Sequence, residues 1–121
     1  MFIAQLFEIS QDLKLNVEYI SMSEKIIVNV DGSLKPIIPS FLDNRQKDIE
    51  KLKTAIEKED QQQVKIIGHQ IKGNSGCYGL ITLGKFGEEL EEAAKKPDWN
   101  GIQLIIQKII DHLEHLEIEF D

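Results

Sequence analysis

His69 stands in KIIGHQIKGNSGCYG, residues 65–79, and is the side chain of this 121-residue chain best suited to chemistry. On a helix, Val64, Ile67, Gly68, Ile71, Ser75 and Tyr78 share one side at spacings of three and four, which marks them as a buried stripe. His69 then lies about 150° round from that stripe, with Lys65 one turn before it and Lys72 and Gly73 one turn after, so its ring points to solvent. A neutral imidazole is a competent nucleophile near pH 7, because its reference pKa is about 6.5. An ammonium one turn away offsets part of the negative charge of an anionic group brought to the ring. The arrangement suits an anionic group delivered by a large partner.

Glycine inside a helix costs about 1 kcal/mol relative to alanine, so the four glycines of this stretch need reasons. Gly68 falls on the inner face, where a missing side chain allows close helix approach. Gly73 and Gly76 fall on or beside the His69 stripe and leave the ring uncrowded. Gly79 suits a helix end, where left-handed torsions carry no penalty.

The other candidates are weaker. His112 and His115, three apart among Asp111, Glu114 and Glu117, have a spacing that could hold a metal ion. Polar residues on the outward side of an amphipathic helix are the favoured explanation, and with no third ligand no metal site is assigned. A lone Cys77 excludes an internal disulfide, fits a reducing compartment, and reads as a small core or near-core residue. Arg45 falls at the edge of an apolar face, where it snorkels or pairs with an acid.

The elements that must position His69 follow from the hydropathy pattern. Phe2, Ile3, Leu6, Ile9, Leu13, Val17 and Ile20 allow an amphipathic helix in the first twenty residues. Residues 25–30, KIIVNV, are β-prone but lack an obvious partner, and read as an extended lead-in rather than a sheet. After a turn at Asp31 and Gly32, with Ser33 as a cap, a helix from Pro39 to about Lys58 turns Phe41, Leu42, Ile49, Leu52 and Ile56 inward. The His69 helix begins at Glu59 and Asp60 and stops near Tyr78. Thr82 begins or caps the next, with Leu83, Phe86, Gly87, Leu90 and Ala94 inward. The last runs from about Trp99 to Ile118 and buries Ile102, Ile105, Ile106, Ile109, Leu113 and Leu116. Short links predict an all-α fold, an antiparallel up-down-up-down four-helix bundle over 31–121, with 1–30 as an N-terminal extension.

Fourteen basic against 21 acidic residues give a net charge of -7, which argues against nucleic acid as a partner. No apolar run nears the roughly 20 residues of a membrane span, and the first ten residues lack a signal peptide's basic start and cleavage site. A cytoplasmic location and a single core are expected.

His69, Ile71, Lys72, Gly73 and Gly79 are similar to the H-x-L-K-G-x-x-x-x-x-G signature of histidine-containing phosphotransfer (HPt) domains, with isoleucine for the leucine. The resemblance extends through PSFLDNRQKDIEKL before the signature and LGKFGEELEEAA after it. It implies a phosphocarrier, without kinase or phosphatase activity of its own, that takes a phosphoryl group on His69 from a receiver-domain aspartyl phosphate and passes it to another receiver. The implied partners are receivers of response regulators or hybrid histidine kinases, the implied state is a monomer, and any magnesium belongs to the receiver. Lys72 is then the phosphate's counter-charge and Gly73 keeps the ring open. Lys65 and Gly76 border the docking surface, although Lys65 reads equally as an ordinary surface lysine. Glu91 occupies the position, 22 residues after the histidine, where the family often places a residue that hydrogen-bonds the ring; a place on the solvent face of EELEE is the other reading. A docking module that binds and inhibits a receiver or kinase, with no phosphate reaching His69, is the alternative function.

Overall fold

In a computed structural model of the chain, residues 25–96 and 98–121 are described. The helix expected over the first twenty residues lies outside them. Strand β1, Ile26–Val30, leads through a 3-10 turn, Gly32–Ile37, into four helices: α1, Ile38–Glu57; α2, Gln61–Cys77; α3, Ile81–Lys95; α4, Trp99–His115. A second strand, β2, Leu116–Phe120, closes the order.

Side chains that accept backbone N–H groups set several of these boundaries. Asp60 caps α2 by accepting the Gln63 N–H, and Asp98 caps α4 by accepting that of Gly101. At the 3-10 turn the cap is Asp31 rather than Ser33: the Asp31 carboxylate accepts the Ser33 N–H, which holds its pKa below the usual value. Leu80 occupies the N-cap of α3 without a side-chain bond, so Thr82 is a residue of the first turn and not the cap. Gly79, at φ 79°, makes the left-handed step between α2 and α3.

Each helix packs on the next, and α4 closes against α1. Ile49, Leu52, Val64, Ile67, Leu83, Leu90, Ile102 and Ile106 lie at the centre of the core with no appreciable exposure. Leu42, Ile56, Tyr78 and Phe86, expected inside, are partly buried at its margin. Arg45 is buried and pairs with an acid, Nε donating to Asp48 Oδ2 at 2.8 Å, with the guanidinium 4.8 Å from the Phe41 ring centroid. Burial pushes the Asp48 carboxyl up, and the Arg45 charge partly offsets the shift.

The two strands correct the all-helical expectation. β1 and β2 pair in parallel, Ile26 opposite Leu116 and Val30 opposite Phe120. Ile26–Val30, within the segment read as an extended lead-in, is therefore a sheet strand, and α4 ends three residues before Ile118. From residue 116 the burial period changes to two: Leu116, Ile118 and Phe120 are half-buried against the core, while Glu117 and Glu119 are exposed. Two further placements differ from expectation. His112 is buried, not outward, because the apolar face of α4 is wide enough to include it and its ring meets the Phe86 ring edge-on at 5.7 Å. Cys77 is exposed, because it follows Gly76 on the solvent side of α2 while Ser75 and Tyr78 turn inward.

Gly68 and Gly87 let α2 and α3 meet almost backbone to backbone. A Cβ on Gly68 would stand 2.7 Å from the Glu91 backbone N and 2.9 Å from the Gly87 carbonyl O. On Gly87 it would stand 2.6 Å from the Lys72 backbone N. Further along α2, the backbone N of Gly76 is 3.7 Å from the Cβ position of Gly84. This close approach brings α3 side chains within reach of His69.

Candidate functional site

The ring of His69 stands on the outer side of α2 with its side chain 71% exposed. Glu91 reaches it from α3: Nδ1 and Oε2 are 3.1 Å apart, and the Glu91 side chain is only 15% exposed. A carboxylate oxygen can only accept, so Nδ1 carries the hydrogen, and in the neutral ring Nε2 then keeps its lone pair. The half-sheltered carboxylate also limits rotation of the ring. Of the two readings left open for Glu91, the ring-bonded one is the one seen.

The surface of α2 beyond the ring is open at its two glycines. A Cβ built on Gly73 or on Gly76 meets nothing within 4 Å. Among the exposed residues of α2, only Lys72 carries a formal charge: Gln62, Ile66, Gln70, Asn74 and Cys77 complete a neutral face around the ring. That face continues into an open cleft of about 280 Å³ between α1 and α2, lined by Ser40, Phe41, Asn44, Arg45, Asn74 and Tyr78.

A family model described as Hpt domain matches residues 37–118. This chain belongs to the Hpt domain family. Hpt domains carry phosphoryl groups in phosphorelays and interact there with receiver domains, and the fold and the exposed histidine agree with that membership. No curated protein and no solved structure matches the chain. The family match leaves β1 outside its span.

In this Hpt domain Lys72 does not stand free beside His69. Its Nζ lies 3.5 Å from Glu88 Oε2 on α3, with both side chains about half exposed. Lys65 is half-buried one turn before the histidine. The EELEE run of α3 is divided among four partners: Glu88 with Lys72, Glu89 with Lys108, Glu91 with His69, and Glu92 with Lys95. Glu88 is the residue near the site that sequence reasoning missed. Its spacing of three from Glu91 was the available signal, since it puts both carboxylates on one side of α3.

Among the described residues no group of three or more His, Cys, Asp or Glu side chains is placed to hold a metal ion. His115 donates from Nδ1 to the Asp111 carbonyl at 2.9 Å, and the buried His112 ring packs edge-on against Phe86. Among the same residues no helix is long and apolar enough to cross a membrane.

Proposed function

We propose that this Hpt domain is a phosphocarrier that accepts a phosphoryl group on Nε2 of His69 from a receiver-domain aspartyl phosphate and returns it to another receiver. The observation that supports this most directly is the ring itself: exposed, bonded through Nδ1 to Glu91, and therefore presenting a lone pair on Nε2. In the reaction that lone pair attacks phosphorus, the N–P bond forms, the acyl P–O bond breaks, and the receiver's aspartate leaves as a carboxylate. The positive charge that develops on the ring is shared with Glu91 through Nδ1–H. Lys72 faces the added charge from one turn away, and Gly73 and Gly76 leave the approach open. Magnesium is supplied by the receiver, and the domain contributes no kinase or phosphatase activity.

The neutral face of α2 is the docking surface in this reading, with Lys65 at its edge, and the domain acts as a monomer. The up-down-up-down order of the four helices belongs to the same proposal, supported for α2 and α3 alone by the paired positions of Gly68 with Gly87 and Gly76 with Gly84. The test is incubation with a receiver domain carrying radiolabelled aspartyl phosphate and magnesium. Acid-labile, alkali-stable label should pass to the chain and be absent from His69→Gln. Stable binding of the receiver without any transfer of label would instead identify a docking module.

A further inference from the structure

Glu88 and Glu91 lie one turn apart on α3 and take the two groups of α2 that matter for phosphoryl transfer, Lys72 and His69. Their environments differ. Glu91 is sheltered and holds a ring that must stay fixed throughout the reaction. Glu88 is 58% exposed and holds, at 3.5 Å, an ammonium that the carrier reading needs elsewhere. A solvent-exposed pair of this kind is weak enough to exchange partners. A phosphoryl group one turn away brings about two negative charges and three acceptor oxygens, so it competes with a single carboxylate for the same cation.

We propose that Glu88 is a parking site for Lys72, holding the ammonium off the ring in the unphosphorylated domain and releasing it when His69 is loaded. This rests on the carrier reading and adds a control to it. Because the lysine must leave a carboxylate to reach the phosphoryl group, the loaded state is less stable than Lys72 alone would make it. The phosphoryl group consequently moves on more readily. Glu88 is thus a positioning residue acting through Lys72, and it sets how long His69 stays loaded. The neighbouring carboxylates provide internal controls, since Glu89 is paired with Lys108 on α4 and Glu92 with Lys95 on its own helix.

The experiment uses phosphoramidate, a small donor that needs no receiver. The Nε2 lone pair attacks its phosphorus, an N–P bond forms to the ring, and the donor's own P–N bond breaks. Phosphoramidate carries its protons on nitrogen, so neutral ammonia departs with the electrons of the P–N bond and the ring keeps its Nδ1–H toward Glu91. Labelling of the wild type and of the variants is followed by removal of the donor and measurement of the half-life of phosphorylated His69. Glu88→Gln should lengthen that half-life by about two- to five-fold, the range for one solvent-screened ion pair. Glu89→Gln and Glu92→Gln, which remove the same charge, should leave it unchanged. With Lys72→Ala as background, the Glu88→Gln effect should shrink toward none. An undiminished effect in that background, or an equal effect from Glu92→Gln, overturns the parking proposal. A wild-type protein that takes no label on His69 overturns the carrier reading itself, whereas a labelled wild type with an unaltered Glu88→Gln overturns the parking proposal alone.

Discussion

Replacing Gly68 and Gly73 by alanine should have opposite effects on stability, although both sit inside α2. Alanine for glycine in a helix gains about 1 kcal/mol of propensity. At Gly73 nothing lies within 4 Å of the new methyl, so Gly73→Ala should stabilise the fold by about 0.5–1 kcal/mol. At Gly68 the methyl would stand 2.7 and 2.9 Å from backbone atoms of α3, which cannot swing aside as a side-chain end can. Overpacking of this kind costs about 1–3 kcal/mol, and rigid backbone neighbours place it in the upper half of that range. After the propensity gain, Gly68→Ala should be destabilised by about 1–2 kcal/mol. With a urea m-value of about 2 kcal/mol/M, the midpoint should rise by roughly 0.3–0.5 M for Gly73→Ala and fall by roughly 0.5–1 M for Gly68→Ala. Function should divide the other way. Gly73→Ala should label from phosphoramidate at the wild-type rate yet accept phosphoryl from a receiver more slowly, because the methyl stands where the partner must approach. Equal urea midpoints for the two variants would refute the close-approach argument, and undiminished receiver transfer in Gly73→Ala would refute the access argument.

Other perturbations test the remaining parts. Arg45→Met should cost about 3–5 kcal/mol, because it strands the buried Asp48 carboxylate, and much of the loss should return in Arg45→Met with Asp48→Leu; chemical denaturation of both variants decides it. Burial holds the His112 pKa below its unfolded value of about 6.5, so above that pH neither state is protonated and His112 adds no pH dependence. Below it the unfolded chain takes up the proton first. Stability should therefore fall with pH until the folded pKa is reached, and His112→Gln should remove that part of the slope in thermal melts between pH 7 and 5. Glu91→Ala should slow phosphoryl acceptance by freeing the ring, while Glu91→Gln, whose amide oxygen still accepts from Nδ1–H, should recover much of the rate; rapid-quench transfer assays distinguish them.

The His69 helix was legible because its whole inner stripe is marked by residue type and spacing, and the outward position of the histidine follows from those residues alone. The glycine at 68 could be assigned to a close approach for the same reason. Glu91 was harder: only the family resemblance placed it near the ring, and whether a flexible carboxylate turns to a neighbour or to water depends on the separation of α2 and α3. Lys72 and Glu88 show the same limit, since the partner of a long side chain is set by packing distance. The sheet was missed for a different reason. A hairpin announces itself by a local turn, whereas a parallel partner some 90 residues away leaves no mark near residues 25–30. At the other end, Leu116 continues the helical spacing of Ile109 and Leu113 and equally begins the strand alternation with Ile118 and Phe120. His112 and Cys77 were misplaced because residue type was weighed above position, one being polar within a wide apolar face and the other apolar on a solvent-facing one.

The pairing of β1 with β2 closes a loop that spans all four helices, each paired residue lying 90 positions from its partner. Closing so long a segment yields its contacts only after the intervening helices have shortened the path between its ends. The sheet therefore forms late in folding and serves as a clasp, ordered by a bundle already in place. Amides of β1 and β2 should lose hydrogen-exchange protection before those of α2 and α3, so the clasp can open while the histidine remains mounted on its two-helix base.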